Sequence, residues 1–123
     1  MSATRARVPV LEAHTEAVSV SLKRAASVEE AKKALREHGK EFLALGLPSC
    51  PAALVDVSED PFRPQPRLDR DREDGMLTCV GRVRADQALP NGIKYVLVSH
   101  NTRMGAAKGA ILVAEYLAHQ GHI

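Results

Sequence analysis

The alternation of Val18, Val20 and Leu22 with Ser19, Ser21 and Lys23 has the two-residue period of a strand buried on one face. Ahead of it, Arg7 to His14 reads as a strand edged by Pro9, which supplies no ladder donor, with Glu12 to His14 able to turn. The period then changes. Ser27 followed by Glu30 forms a capping box, and Val28, Ala31, Leu35 and His38 make one helical stripe that Gly39 ends. Glu29 with Lys33, and Lys33 with Glu37, are i,i+4 pairs on the solvated side. Phe42 to Leu47 predicts a second helical turn, broken by Pro48-Ser49-Cys50-Pro51, and Leu54 to Val57 a brief strand.

Residues 58–75 carry no period and are rich in Pro, Arg and Asp, which predicts a long loop whose arginines are matched by its acids, a charge-neutral surface segment. From Met76 to Arg84 alternation returns, with Leu77, Cys79 and Val83 on one face and Arg82 and Arg84 on the other. A turn at Pro90-Asn91-Gly92 joins that strand to an antiparallel partner, Ile93 to Ser99. The final helix, placed at residues 103–119, is apolar through Ile111, Val113 and Leu117, and too apolar to stand free. Gly105 and Gly109 give it a face without side chains, open to close approach by another backbone.

These elements make one α+β domain over residues 1–123: a mixed, largely antiparallel sheet of about four to six strands with helices on one face. The 45% hydrophobic content is aliphatic, since aromatics are only 3%, so stacking platforms for bases are poorly supplied. Seventeen basic residues against fifteen acidic ones, interspersed, give a net charge of +2 and argue for neither nucleic acid nor an anionic membrane. Cys50 and Cys79 are too far apart, and too few, for a disulfide framework or a metal site. With no secretory signal and no membrane-length apolar run, the expectation is a cytoplasmic protein in a reducing setting. The first strand is expected within about six residues of Met1, an abrupt entry that favours a preceding segment or a partner to cover the edge.

Arg7 and His14 are the best candidates for polar chemistry. On a straight strand they would lie roughly 23 Å apart and on opposite faces, so they share a site only if the chain bends. The series Arg7-Val8-Pro9-Val10, His14-Thr15-Glu16, Pro64-Gln65-Pro66-Arg67-Leu68-Asp69-Arg70-Asp71, Gly75-Met76, Val80-Gly81-Arg82-Val83-Arg84, Ser99-His100-Asn101-Thr102 and Gly105-Ala106-Ala107 resembles, in the same order, the later part of archaeal and fungal aspartate-semialdehyde dehydrogenases. That resemblance covers nearly the whole chain but only part of such an enzyme. It implies part of a fold like the C-terminal domain of glyceraldehyde-3-phosphate dehydrogenase, with residues 58–75 near a subunit contact. It also implies His14 as general acid/base, Arg7 as binder of a substrate carboxylate, Asn101 near the nicotinamide, and Gly105 with Ala106 beside the cofactor. For these last three a helix N-terminal turn and close helix packing is the preferred structural reading, with any cofactor role vestigial.

The departures are as informative. The family's nucleophilic Cys, its Gly-rich dinucleotide turn and the residues that hold the substrate's amino and phosphate groups precede the matched segment, and neither Cys50 nor Cys79 replaces the nucleophile by motif. Ala6 stands where a polar residue is usual before the Arg. No cofactor is therefore expected for this chain alone, although full-length relatives use NADP, and no metal. Two readings of function follow. One is a dimerisation module, a truncated relative that forms a homodimer or joins a full-length subunit and is not competent alone for NADPH-dependent reduction of aspartyl phosphate. The other is a cofactor-free isomerase, lyase or cyclase in which His14 moves a proton while Arg7 holds a carboxylate or enolate.

Overall fold

A computed structural model describes residues 1–123. Five strands, β1 (Ser2–Ala6), β2 (His14–Ser21), β3 (Val55–Val57), β4 (Thr78–Asp86) and β5 (Gly92–Ser99), form one mixed sheet in the order β1-β2-β5-β4-β3. All neighbours are antiparallel except β3 and β4. β2 pairs with β5 along its whole length, from His14 opposite Ser99 to Ser21 opposite Gly92.

One face of the sheet is the core. Val57, Val80, Val83 and Ile93 are buried there against Val28, Ala31 and Leu35 of helix α1 (Val28–Glu37). Each such aliphatic side chain contributes about 1.5–3 kcal/mol on full burial. The capping box forms as expected: the Ser27 hydroxyl accepts the Glu30 N–H, and the Glu30 carboxylate accepts the Ser27 N–H. Gly39, left-handed at φ 77, turns the chain into the one-turn α2 (Lys40–Leu43). His38 of the predicted stripe is exposed. The ion pairs also shift by one residue: Lys32, not Lys33, pairs with Glu29 and with Glu59, and Arg36 joins Glu59. Glu59 follows β3, so tertiary geometry rather than helical spacing selects the partner.

Three expectations are corrected by the backbone. Arg7 to Ala13 is a loop and the first strand lies ahead of it, because Val10 N–H turns back to Val8 C=O (2.8 Å) and Ala13 adopts φ 97. β4 carries a bulge between Gly81 and Arg84 with Arg82 at φ 56. One extra residue there puts Val80 and Val83 together on the α1 face and turns Cys79 to the opposite face, so Cys79 and Val83 do not share a side. The last helix, α4, spans Ala107–His119 rather than starting at Arg103. The preceding turn is too irregular for an α-helix: Gly105 N–H reaches His100 C=O and Ala107 N–H reaches Thr102 C=O, while Ala106 N–H reaches only Arg103 C=O. Gly105 and Gly109 do admit close backbone, but the backbone is their own turn's, the carbonyls of Asn101 and Met104.

The face opposite α1 is crossed by residues 58–75, which are ordered rather than a simple surface loop. They hold the one-turn helix α3 (Pro66–Asp69) and a 3₁₀ turn, Arg72–Gly75. Asp69 is 2% exposed and accepts hydrogen bonds from Arg63 Nε (2.8 Å), from Arg63 Nη2 and from Gln65 N–H (2.6 Å). Helix α4 buries one residue, Leu112, against Leu47 and Met76, and its Glu115 accepts the Ser49 N–H and hydroxyl.

Candidate functional site

The loop between β1 and β2 provides the bend that a shared site requires. Arg7, His14 and Asn101 line one concavity of about 370 Å³, together with Arg5, Glu12 and Thr15. His14 opens β2 and is exposed, as is Arg7, so the hollow faces solvent. Arg5 is tied to Glu16 (3.1 Å). Arg7 makes no ion pair, which leaves its guanidinium fork available to a carboxylate. An imidazole lining the same hollow can exchange a proton with a bound anion's neighbouring atoms.

Asn101 sits at the back of this hollow in the turn between β5 and α4. Its side-chain oxygen accepts the Ala13 N–H at 2.7 Å, which joins the two ends of the chain. Periodicity and motif spacing gave no sign of that bond, nor of Arg5 and Thr15 as lining residues. The Thr15 hydroxyl is buried without a hydrogen-bond partner. Its one available signal is its place beside His14 in the strand.

Gly105 and Ala106 are not brought to the same place. They line a separate, apolar groove of about 880 Å³ along α4, with Phe42, Met104, Leu112 and Tyr116. The Gly105 position is close to the Asn101 carbonyl of its own turn. Asn101 and the pair Gly105 and Ala106 therefore line two separate hollows, with the Asn101 side-chain oxygen engaged by Ala13.

Neither thiol is poised as a nucleophile. Burial, reinforced by the Asp69 charge, pushes the Cys79 thiol up to about 11, and burial with Glu115 pushes Cys50 up as well. No three His, Cys, Asp or Glu side chains are grouped to hold a metal ion, and no helix is long and apolar enough to cross a membrane.

The sheet order lacks the run of adjacent parallel strands of a nucleotide-binding fold, which defines an α+β domain of another kind, with a small solvent-facing hollow lined by Arg7 and His14. Residues 1–104 match the family model described as semialdehyde dehydrogenase, dimerisation domain, and the chain belongs to that family. Aspartate-semialdehyde dehydrogenase of Archaeoglobus fulgidus is 48% identical over 117 residues, 95% of this chain and 32% of the relative. That of Candida albicans is 46% identical over 119 residues, again 95% and 32%. The crystal structure of the Candida albicans enzyme with NADP superposes with a TM-score of 0.81 at 45% identity, covering 95% of this chain and 33% of that one. Aspartate semialdehyde dehydrogenase II of Vibrio cholerae gives 0.66 at 29%, covering 92% and 29%. The fold is therefore that of a domain of these dehydrogenases, and the chain spans about a third of the length of the relatives it matches. These comparisons lend no support to a cofactor-free isomerase, lyase or cyclase.

Proposed function

We propose that the chain acts as an association module, pairing with a second copy of itself or with a full-length aspartate-semialdehyde dehydrogenase subunit, and that alone it does not reduce aspartyl phosphate with NADPH. The observation that carries this reading is the face of β1, β2 and β5 opposite α1. There Thr4, Ala17 and Val96 lie in one cross-strand row, with Ser19 beside them, none of them buried. A broad row of small side chains lets a second sheet approach closely, and a two-fold pair is the commonest closed arrangement. Burial raises both thiols above the ordinary thiol range, which supports the lack of reduction by this chain alone. In the assembled protein Arg7 would hold a carboxylate and His14 would hold or move a proton. Two free thiols and interspersed charge suit a cytoplasmic setting.

Sedimentation velocity at micromolar concentration tests the pairing, and NADPH absorbance with aspartyl phosphate tests the chemistry. The expected result is a dimer without NADPH oxidation. A monomer that also fails to bind a full-length subunit, or a chain that consumes NADPH unaided, overturns the proposal.

A further inference from the structure

We infer that Asn101 is the positioning residue of the Arg7–His14 hollow: its side-chain carbonyl, by holding the Ala13 N–H, sets the direction in which the chain enters His14. The inference rests on the reading of Arg7 and His14 as a ligand-binding pair. Ala13 has φ 97, a left-handed conformation costly for a residue with a Cβ and kept only where surroundings impose it. The hydrogen bond from Ala13 to Asn101 spans 88 positions, and it is the one hydrogen bond that ties residues 7–13 to the rest of the molecule. Within the loop only Val10 to Val8 is bonded, and Leu11 is 90% exposed. Between its two strand ends the loop is held at that one point, which therefore shapes its course.

The anchor is itself fixed. His100, 4% exposed, accepts the N–H groups of Thr102 and Arg103 at Nδ1 (3.3 and 3.4 Å), and its carbonyl accepts Gly105 N–H. A Cβ at Gly105 would press on the Asn101 carbonyl at 2.8 Å, so the glycine keeps the turn closed under Asn101. Asn101 thus projects from a rigid turn and sets how a weakly held loop carries Arg7 and leads through Ala13 into His14, whose own backbone is paired with Ser99. A side-chain acceptor is what the position requires. Asp can supply one, and Ala cannot.

The test uses the full chain, isotopically labelled, as wild type, Asn101→Ala and Asn101→Asp. Three quantities are followed by NMR: amide exchange at Ala13, the His14 ring resonances, and succinate binding as a probe of the carboxylate site. Asn101→Ala is expected to speed Ala13 exchange by about ten-fold or more, to move the His14 ring resonances and to weaken succinate about ten-fold, with the melting temperature little changed. Asn101→Asp keeps Ala13 protected and the His14 resonances in place, a rescue that simple loss of packing would not give. Unchanged Ala13 exchange in Asn101→Ala, or faster exchange with unmoved His14 resonances, overturns the inference. If wild type binds no succinate while the Ala13 and His14 effects appear, the positioning role stands and the ligand-binding reading fails.

Discussion

A carboxylate persists at Asp69, almost wholly shielded from water, because three donors converge on it from Arg63 and Gln65. Burial alone would raise its pKa. The Arg63 guanidinium and the Gln65 N–H outweigh burial and hold the carboxyl below its ordinary 3.8. Because the folded value lies below the unfolded one, the charge contributes stability in full above about pH 4, and that contribution is lost as pH falls through the folded value. Asp69→Asn leaves Arg63 without its counter-charge and should cost about 3 kcal/mol in urea unfolding at neutral pH. The gap between wild type and variant should narrow in the same measurement below about pH 4. Ala13 makes a second case. Glycine tolerates its φ where alanine is strained, so Ala13→Gly should raise the urea midpoint by an amount equivalent to about 1 kcal/mol.

At the scale of elements, what could be read from the chain was what is decided locally. The Ser27–Glu30 capping box and the alternation of β2 need only near neighbours, and both form as the residues predict. β1 is exposed throughout and its Ser-Ala-Thr-Arg-Ala sequence has no apolar alternation, so nothing marked it, whereas Val8, Val10 and Leu11 imitate a strand in what is a loop. The Asp69 cluster reads as balanced charge in composition, because the pairing of Arg63 with Asp69 depends on a fold around β4 that no spacing reveals. The bulge in β4 was hidden for the same reason. Of the site, Arg7 and His14 were legible through the family motif, but the turn that brings them together depends on Ala13 and a distant Asn101. Gly81, beside the bulge, shows how closely the elements meet: a Cβ there would strike the Arg63 carbonyl and, at 2.9 Å, the Pro64 ring. Gly81→Ala should therefore cost about 1–3 kcal/mol in chemical denaturation by lifting residues 63–64 from the strand.

The whole molecule leaves two surfaces without partners of its own, and they differ in character. Helix α4 exposes Ile111 (53%) and Val113 (57%), apolar side chains on opposite sides of a helix that buries a single residue, whereas the sheet face around Ala17 is small-featured. If the sheet face is where two copies meet, a long cation at its centre acts twice, once in each copy of a two-fold pair. Ala17→Arg should then weaken dimerisation about a hundred-fold by sedimentation, because two unpaired guanidiniums would have to be desolvated or splayed apart. Val113→Lys on α4 should leave the dimer constant unchanged and reduce binding of a hydrophobic dye, since it removes exposed apolar surface away from the pairing face. The opposite pattern, with Val113→Lys breaking the dimer and Ala17→Arg silent, would move the self-association surface to α4. Wild-type stability supplies an independent check: melting of a dimer held by the sheet face rises with protein concentration, and that dependence should disappear in Ala17→Arg alone.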